Sequence, residues 1–265
     1  MKTIKETITN YISKGLTRTQ AENCTGQEIV LKKISKSPIA NKILIKGGVL
    51  MYNITNNLRR TTSDLDFDFI RYDISDQSIE LFVDLLNRHY PWYLVETISI
   101  SPLHQEDYHG KEVWLLIKDK SASIRFKLDI GVHTLLGIEQ ETFCFEFSDE
   151  EKIMLKINPP EQVFAEKLYS LAKHSFLSTR FKDVYDMYYF ISQGLLDIKT
   201  VRKCLELLVA KQNSRIKTIE DVCSRVDSAF EDKVYLNNLK SMKDNWLEVD
   251  YQIIINSILD YIYKI

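Results

Sequence analysis

Asp64-Leu65-Asp66-Phe67-Asp68-Phe69-Ile70 alternates acidic and apolar residues without a break. On an extended strand, positions i, i+2 and i+4 project to one face with neighbours ~7 Å apart. Asp64, Asp66 and Asp68 therefore make that face entirely carboxylate, and such a row of like charges needs compensation. At an exposed edge, water and nearby lysines supply it, and the pattern means nothing more. In a cleft the compensation is a divalent cation: two carboxylate-held ions about 3.5 to 4 Å apart clamp the phosphates of a nucleoside triphosphate (NTP) for in-line displacement, and hard oxygen donors favour magnesium. Leu65, Phe67 and Phe69 fall on the opposite face and are expected to bury it, which makes the segment a structural strand that carries its acids outward.

Gly47-Gly48 is the second feature. The chain holds eight glycines, and two of them adjoin at the end of the short apolar strand expected over 42–46, ahead of a helical pattern over 49–58. Such a pair marks a sharp turn or a close backbone approach. Amides at the following helix N-terminus would suit the β- and γ-phosphates of an NTP, although a plain strand-to-helix turn uses the same residues. Neither the GxxxxGK[ST] loop nor the GxGxxG fingerprint is present.

Three further segments carry candidate groups. In Arg125-Phe126-Lys127-Leu128-Asp129-Ile130, Arg125, Lys127 and Asp129 share one strand face, which by itself describes a solvated strand with an ion pair. In the segment 161–171, helical periodicity buries Phe164, Leu168 and Leu171 and leaves Lys167 on the surface. Over 180–193 a helix is expected with Val184, Tyr188 and Ile191 as its buried stripe. Asp183 and Asp186 then sit on a neighbouring face; the bland reading is a surface i, i+4 pair of Lys182 with Asp186 worth ~0.2–0.5 kcal/mol, and the functional one has Lys182 and Asp183 facing a cleft.

The elements that must position these groups fall into two halves. Helices are expected over the N-terminal segment, 17–37 and 76–89, and strands over 64–70, 93–100, 112–117 and 123–130. Beyond Pro159-Pro160, where a helix can begin, the periodicity is helical: 160–173, 180–193, 198–211, 219–230 and 249–263. The reading is mixed α/β (α+β): a mixed sheet flanked by helices over 1–155, then a helical domain over 156–265 that completes a cleft. A chain of 265 residues, 45% apolar and 27% charged, can bury a sizeable core. Its net charge of -2 gives no global basic field, so nucleic-acid binding would need a local patch. Cys24, Cys144, Cys204 and Cys223 contain no CxxC pair and read as reduced thiols. His89, His104, His109, His133 and His174 form no HExxH-like cluster. No run approaches the ~20 apolar residues of a membrane span, and the N-terminus lacks a secretory pattern; a soluble, cytoplasmic protein is expected.

LIKGG at 44–48 followed by RRTTSDLDFDF at 59–69 resembles the AbiEii/AbiGii-type toxin branch of the DNA polymerase β-like nucleotidyltransferases, marked by hG[GS], a helix and Dh[DE]h. The resemblance, which spans about 40–195, implies Asp64 and Asp66 as a metal pair, with Asp129 as the third carboxylate and one or two Mg²⁺ ions as cofactor. It also implies Gly47, Gly48 and Ser63 as nucleotide contacts. The Glu166-Lys167 pair and the R-x-K-D-h-Y-D block at 180–186 match the family further, which adds Lys167, Lys182 and Asp183 to the nucleotide-binding set, with Lys167 also catalytic. The roles of Asp68 and Asp186 stay open. The implied reaction is transfer of a nucleoside monophosphate from an NTP to an acceptor hydroxyl. The implied acceptor is tRNA or other RNA, met by basic residues such as Arg59, Arg60, Lys173 and Arg180. The setting is that of a toxin with a cognate antitoxin as a separate chain. Two rivals stand beside this reading: a nucleotidyltransferase acting on a small molecule such as an antibiotic, and a silent nucleotidyltransferase-like binding module. The unbroken acidic strand speaks against the second.

Overall fold

The structure, a computed structural model, describes residues 2–103, 110–211, 215–242 and 245–265; His104 and His109 lie outside the described residues. The chain divides into two compact units: residues 1–134 with 140–158, and residues 135–139 with 159–265.

In the first unit, α1 (Ile4–Ser13) and α2 (Arg18–Lys36) each start at a capping box. Thr3 pairs with Glu6, and Thr17 with Gln20, so that orphan amides of the first turn are satisfied reciprocally. Ser37 leaves helical geometry ahead of Pro38, as the clash with a proline ring requires. Then follow β1 (Ile43–Lys46), α3 (Gly47–Thr55), β2 (Asp64–Phe69), α4 (Asp76–His89), β3 (Leu94–Pro102), β4 (Lys111–Lys118), β5 (Ser123–Val132), β6 (Glu141–Glu146) and β7 (Lys152–Ile157). The helix expected over 49–58 starts two residues earlier and stops at Thr55, because Asn56 takes the left-handed conformation that ends it.

The seven strands form one mixed sheet in the order β3-β4-β5-β2-β1-β7-β6. β2 lies at its centre, parallel to β5 and antiparallel to β1. Its apolar face is wholly buried: Leu65, Phe67 and Phe69 are 0% exposed. Phe67 and Phe69 pack with Phe82 of α4 at centroid distances of 5.6 and 5.4 Å. Each such side chain contributes ~1.5–3 kcal/mol on burial. That packing fixes the register, and with it the direction in which the aspartates point; a one-residue slip would invert both faces.

Polar contacts from α2 tie the unit together, one of them to β2. Gln27 of α2 donates to the carbonyls of Thr62 and Asp64, each at 3.0 Å. Lys32, buried on the same helix, pairs with Glu28 at 2.9 Å and Asp149 at 2.7 Å, while Tyr11 of α1 donates to Glu28. A buried ammonium so surrounded avoids the penalty of an unpaired charge.

The second unit contains α5 (Pro160–His174), α6 (Phe181–Ser192), α7 (Ile198–Lys211), α8 (Ile219–Glu231), α9 (Lys233–Ser241) and α10 (Tyr251–Ile262). α5 packs against α6, α7 and α8, and α10 against α6 and α8. β6, β7 and α9 were not among the elements expected from the sequence. The buried stripe of α6 also differs from expectation. Phe181, Val184, Tyr185, Met187 and Phe190 are buried, whereas Tyr188 and Ile191 are only partly covered. The helix is rotated toward the side on which Asp183 and Asp186 lie.

Candidate active site

The pairing of β2 with β5 sets Asp66 directly opposite Asp129 and Asp64 opposite Lys127. Asp64, Asp66 and Asp129 thus come together on one face of two adjacent parallel strands. Lys127 stands among them, its ammonium 3.2 Å from Asp64, 3.0 Å from Asp129 and 3.9 Å from Glu112 of β4. Thr62 donates to the other Asp64 oxygen at 2.7 Å, which orients that carboxylate. Asp68, two residues further along, is buried and bound to Lys46 at 2.6 Å. Its charge is already matched, and it closes the row as a structural ion pair.

The glycine pair wraps Asp66. Gly47 has φ +67°, in the region favoured by residues without a Cβ, and a Cβ there would lie 2.0 Å from Asp66 Oδ2. At Gly48 a Cβ would lie 2.6 Å from the Cβ of Thr62. The Gly48 amide, in the first turn of α3, points to Asp66 Oδ2 at 3.4 Å. Lys46 supplies no side-chain cap to this helix, so its positive end is presented without a built-in anion other than Asp66. Ser63 is exposed immediately before β2.

Electrostatics marks the cluster. Removal from water, then the Asp64 charge, push the Asp66 carboxyl up to about 6, against the downward pull of Lys46 and the Gly48 amide. Asp129 is likewise raised by burial, with Lys127 opposing. For Lys127 the order is reversed: burial lowers it, but its hydrogen bond to Asp129 and the charges of Asp129 and Asp64 carry it above its ordinary value. For Asp66 and Asp129, then, burial outweighs the cations beside them, and both carboxyls are harder to ionise.

Among the described residues, no three His, Cys, Asp or Glu side chains stand close enough together to grip a metal ion as they are placed. The donor set nevertheless fits a hard divalent cation. All donors are carboxylate oxygens, Asp129 Oδ1 is buried without a hydrogen-bond partner, and the ammonium of Lys127 already takes the position of a cation between Asp64 and Asp129.

In the second unit, Lys167 is not the surface lysine expected from its helix. It is 7% exposed and bonded to Asp183 and, at 2.9 Å, to Asp186, which is 0% exposed. Arg180 reaches Asp183 at 2.7 Å. Asp186 faces inward, toward Lys167, and is not the surface group expected from its helix. Periodicity on a single helix could not reveal this, since the partner that draws Lys167 inward lies on α6. Lys182 is partly covered at the start of α6. Thr62, Lys127 and Gln27 were not among the expected site residues. Only Thr62 had a local signal, two positions before Asp64; Gln27 and Lys127 become visible once the register is known.

No curated protein sequence matches the chain. Among solved structures, that of JHP933 from Helicobacter pylori superposes with a TM-score of 0.52 at 14% identity, covering 94% of this chain and 93% of that one. This is a likeness of fold. A proposed nucleotidyltransferase from H. pylori gives a TM-score of 0.48 at 15% identity over 91% and 93% of the two chains. The family described as "Nucleotidyl transferase AbiEii toxin, Type IV TA system" matches residues 29–260. No helix of the described residues is long and apolar enough to cross a membrane. The acidic strand, its glycine turn and the match over most of the chain agree, and the protein belongs to the AbiEii family of nucleotidyltransferase toxins.

Proposed function

We propose that this nucleotidyltransferase transfers a nucleoside monophosphate from an NTP to a hydroxyl of an RNA acceptor, tRNA first among candidates. In this reading Asp64, Asp66 and Asp129 hold Mg²⁺, and a cognate antitoxin, as a separate chain, restrains the activity. The observation that carries the reading is the turn at Gly47-Gly48. Its backbone occupies the space beside Asp66 that any side chain would fill, and it brings the positive end of α3 to the same carboxylate.

Bound there, Mg²⁺ would neutralise the acids and polarise the phosphates of the NTP. The chain's own residues have separate tasks. Asp64 is oriented by Thr62, Asp66 is fixed by the glycine turn, and Asp129 offers an unpartnered oxygen. The amides of Gly47 and Gly48, with Ser63, face the phosphates. Lys127 moves from pairing Asp64 and Asp129 toward the leaving charge. Lys167, with Lys182 and Asp183, is assigned to the nucleotide as well, its ammonium held by Asp183 and Asp186 until phosphate competes for it.

The test is incubation with Mg²⁺, each labelled NTP in turn and total RNA, beside Asp66→Asn. Label on tRNA-sized species that disappears in the variant is the expected result. Label on a small molecule instead moves the acceptor to the antibiotic-modifying alternative, and absence of both NTP binding and transfer defeats the enzyme reading.

A further inference from the structure

The acidic face of β2 does not end at Asp129. Across β5 and β4 the same side of the sheet continues through Lys127 and Arg125 to Glu112, Trp114 and Leu116, while Val113, Leu115 and Ile117 fill the buried side. Trp114 stands directly opposite Lys127 in the register, and Lys127 directly opposite Asp64. With strands ~4.8 Å apart, the indole lies ~10 Å from the Asp64 carboxylate. That is the reach of about three stacked nucleotides at ~3.4 Å each.

This aromatic group is held and dressed in a particular way. Its Nε1 donates to Glu112 at 3.1 Å, which fixes the ring plane, and the Arg125 guanidinium lies 5.5 Å from the ring centroid. On β1, β4 and β5 the other cations of this face are matched to carboxylates: Lys127 to Asp64 and Asp129, Lys46 to Asp68, and Lys118 to Glu96. Arg125 is exposed and, among the described residues, has no carboxylate within ion-pair distance; the indole is its partner. An immobilised indole layered with an unmatched guanidinium is what an unpaired nucleobase and its phosphate would meet. The base adds to the stack while the charge meets the phosphodiester.

We infer that Trp114 and Arg125 form the platform that receives the single-stranded end of the RNA acceptor and delivers its terminal hydroxyl to the carboxylate cluster. This rests on the nucleotidyl-transfer reading above for the identity of the cluster. The occupant follows from charge and continuity: the cluster itself is acidic and needs help to approach a polyanion, and Arg125, which has no carboxylate within ion-pair distance among the described residues, sits on an aromatic ring beside it. Leu116 shares the face, but the indole itself is bonded to Glu112 and faced by the Arg125 guanidinium, polar contacts that favour a stacking polyanion over an apolar protein partner.

The experiment is fluorescence anisotropy of a short labelled single-stranded RNA, and of the same RNA as a blunt duplex. The full-length protein is compared with Trp114→Ala, Trp114→Phe and Arg125→Ala, with NTP binding measured in parallel. Loss of the ring is expected to weaken single-strand binding ~10- to 100-fold, and the phenyl variant to stay within a few-fold. Arg125→Ala should weaken binding and lower the slope of log affinity on log salt by ~1. NTP affinity should be unchanged in all three. Single-strand binding unaffected by Trp114→Ala and Arg125→Ala overturns the platform, as does equal affinity for the blunt duplex. Should Trp114→Ala fail to fold, Arg125→Ala at its exposed position decides. The two readings fail separately. Trp114-dependent RNA binding without label transfer leaves the platform standing and removes the chemistry; transfer to RNA that ignores both substitutions does the reverse.

Discussion

Replacing Gly47 by alanine should harm the site through a single atom. The new Cβ would lie 2.0 Å from Asp66 Oδ2, 2.5 Å from its Cγ and 2.7 Å from its Cβ, so Asp66 or the turn must move by ~1 Å or more. The backbone adds to this, because φ +67° costs alanine ~1–2 kcal/mol that glycine does not incur. Misplacement of a reacting group by ~1 Å costs on the order of 100-fold in rate. In a chain of this size ~1–2 kcal/mol lowers Tm by about 2–8 °C. The assay is the initial rate of label transfer at saturating NTP, with thermal unfolding on the same preparation. A fall of ~100-fold in rate with only a few degrees in Tm is expected. A variant within about threefold of wild type and equally stable would refute the claim that this turn encloses Asp66.

Gly48→Ala should act more mildly and through Asp64, since its Cβ would press on Thr62, which holds that carboxylate; Thr62→Val should reproduce its rate defect, and a defect in only one of the two breaks the link. Lys127→Met removes the ammonium between Asp64 and Asp129, so the metal-free protein should lose thermal stability and regain it with millimolar Mg²⁺; calorimetric scans with no change in either condition would contradict the pairing. Lys167→Met removes the ammonium that Asp183 and buried Asp186 both contact, a loss of up to ~3–5 kcal/mol, visible as a lower urea midpoint whether or not NTP is present. Burial holds the Lys33 ammonium down to about 8. The unfolded chain then binds the extra proton between pH ~8 and ~10, so stability rises with pH across that window, by at most ~1.4 kcal/mol per unit. Lys33→Met should flatten that rise, and an unchanged slope in denaturant titrations would rule it out.

The parts of this protein that were legible in its sequence are those whose signal is local. Strict alternation at 64–69 gave both faces of β2, and the buried trio Leu65, Phe67 and Phe69 is where alternation puts it. Helical periodicity over 17–37 and 76–89 placed α2 and α4 within a residue. β7 also carried a usable period of two, in Ile153, Leu155 and Ile157 between lysines, but it stands close to Pro159-Pro160 and was absorbed into the boundary. β6 is an edge strand with one fully buried position, Phe145, too weak a pattern to read alone. α9 is only nine residues long and exposes Val234, which blurs its period.

Site residues divide the same way. Asp64, Asp66, Gly47 and Gly48 announce themselves by spacing. Asp129 could be named only through the family resemblance, because its meeting with Asp66 depends on a parallel pairing between strands about sixty residues apart. Lys167 was misread as a surface group because charge on one helix says nothing about carboxylates arriving on another. Asp68 looked equivalent to its two neighbours, and a single cross-strand lysine, Lys46, is what sets it apart.

The central claim is that Asp64, Asp66 and Asp129 support transfer of a nucleoside monophosphate. It is tested most directly with NTPs labelled at either the α- or the γ-phosphate, offered with Mg²⁺ and RNA to the wild type and to Asp66→Asn. The account expects α-label to appear on the acceptor and γ-label to leave as pyrophosphate, with both events lost in the variant and without Mg²⁺. Transfer of γ-label to the acceptor, or undiminished α-transfer by Asp66→Asn, would contradict it.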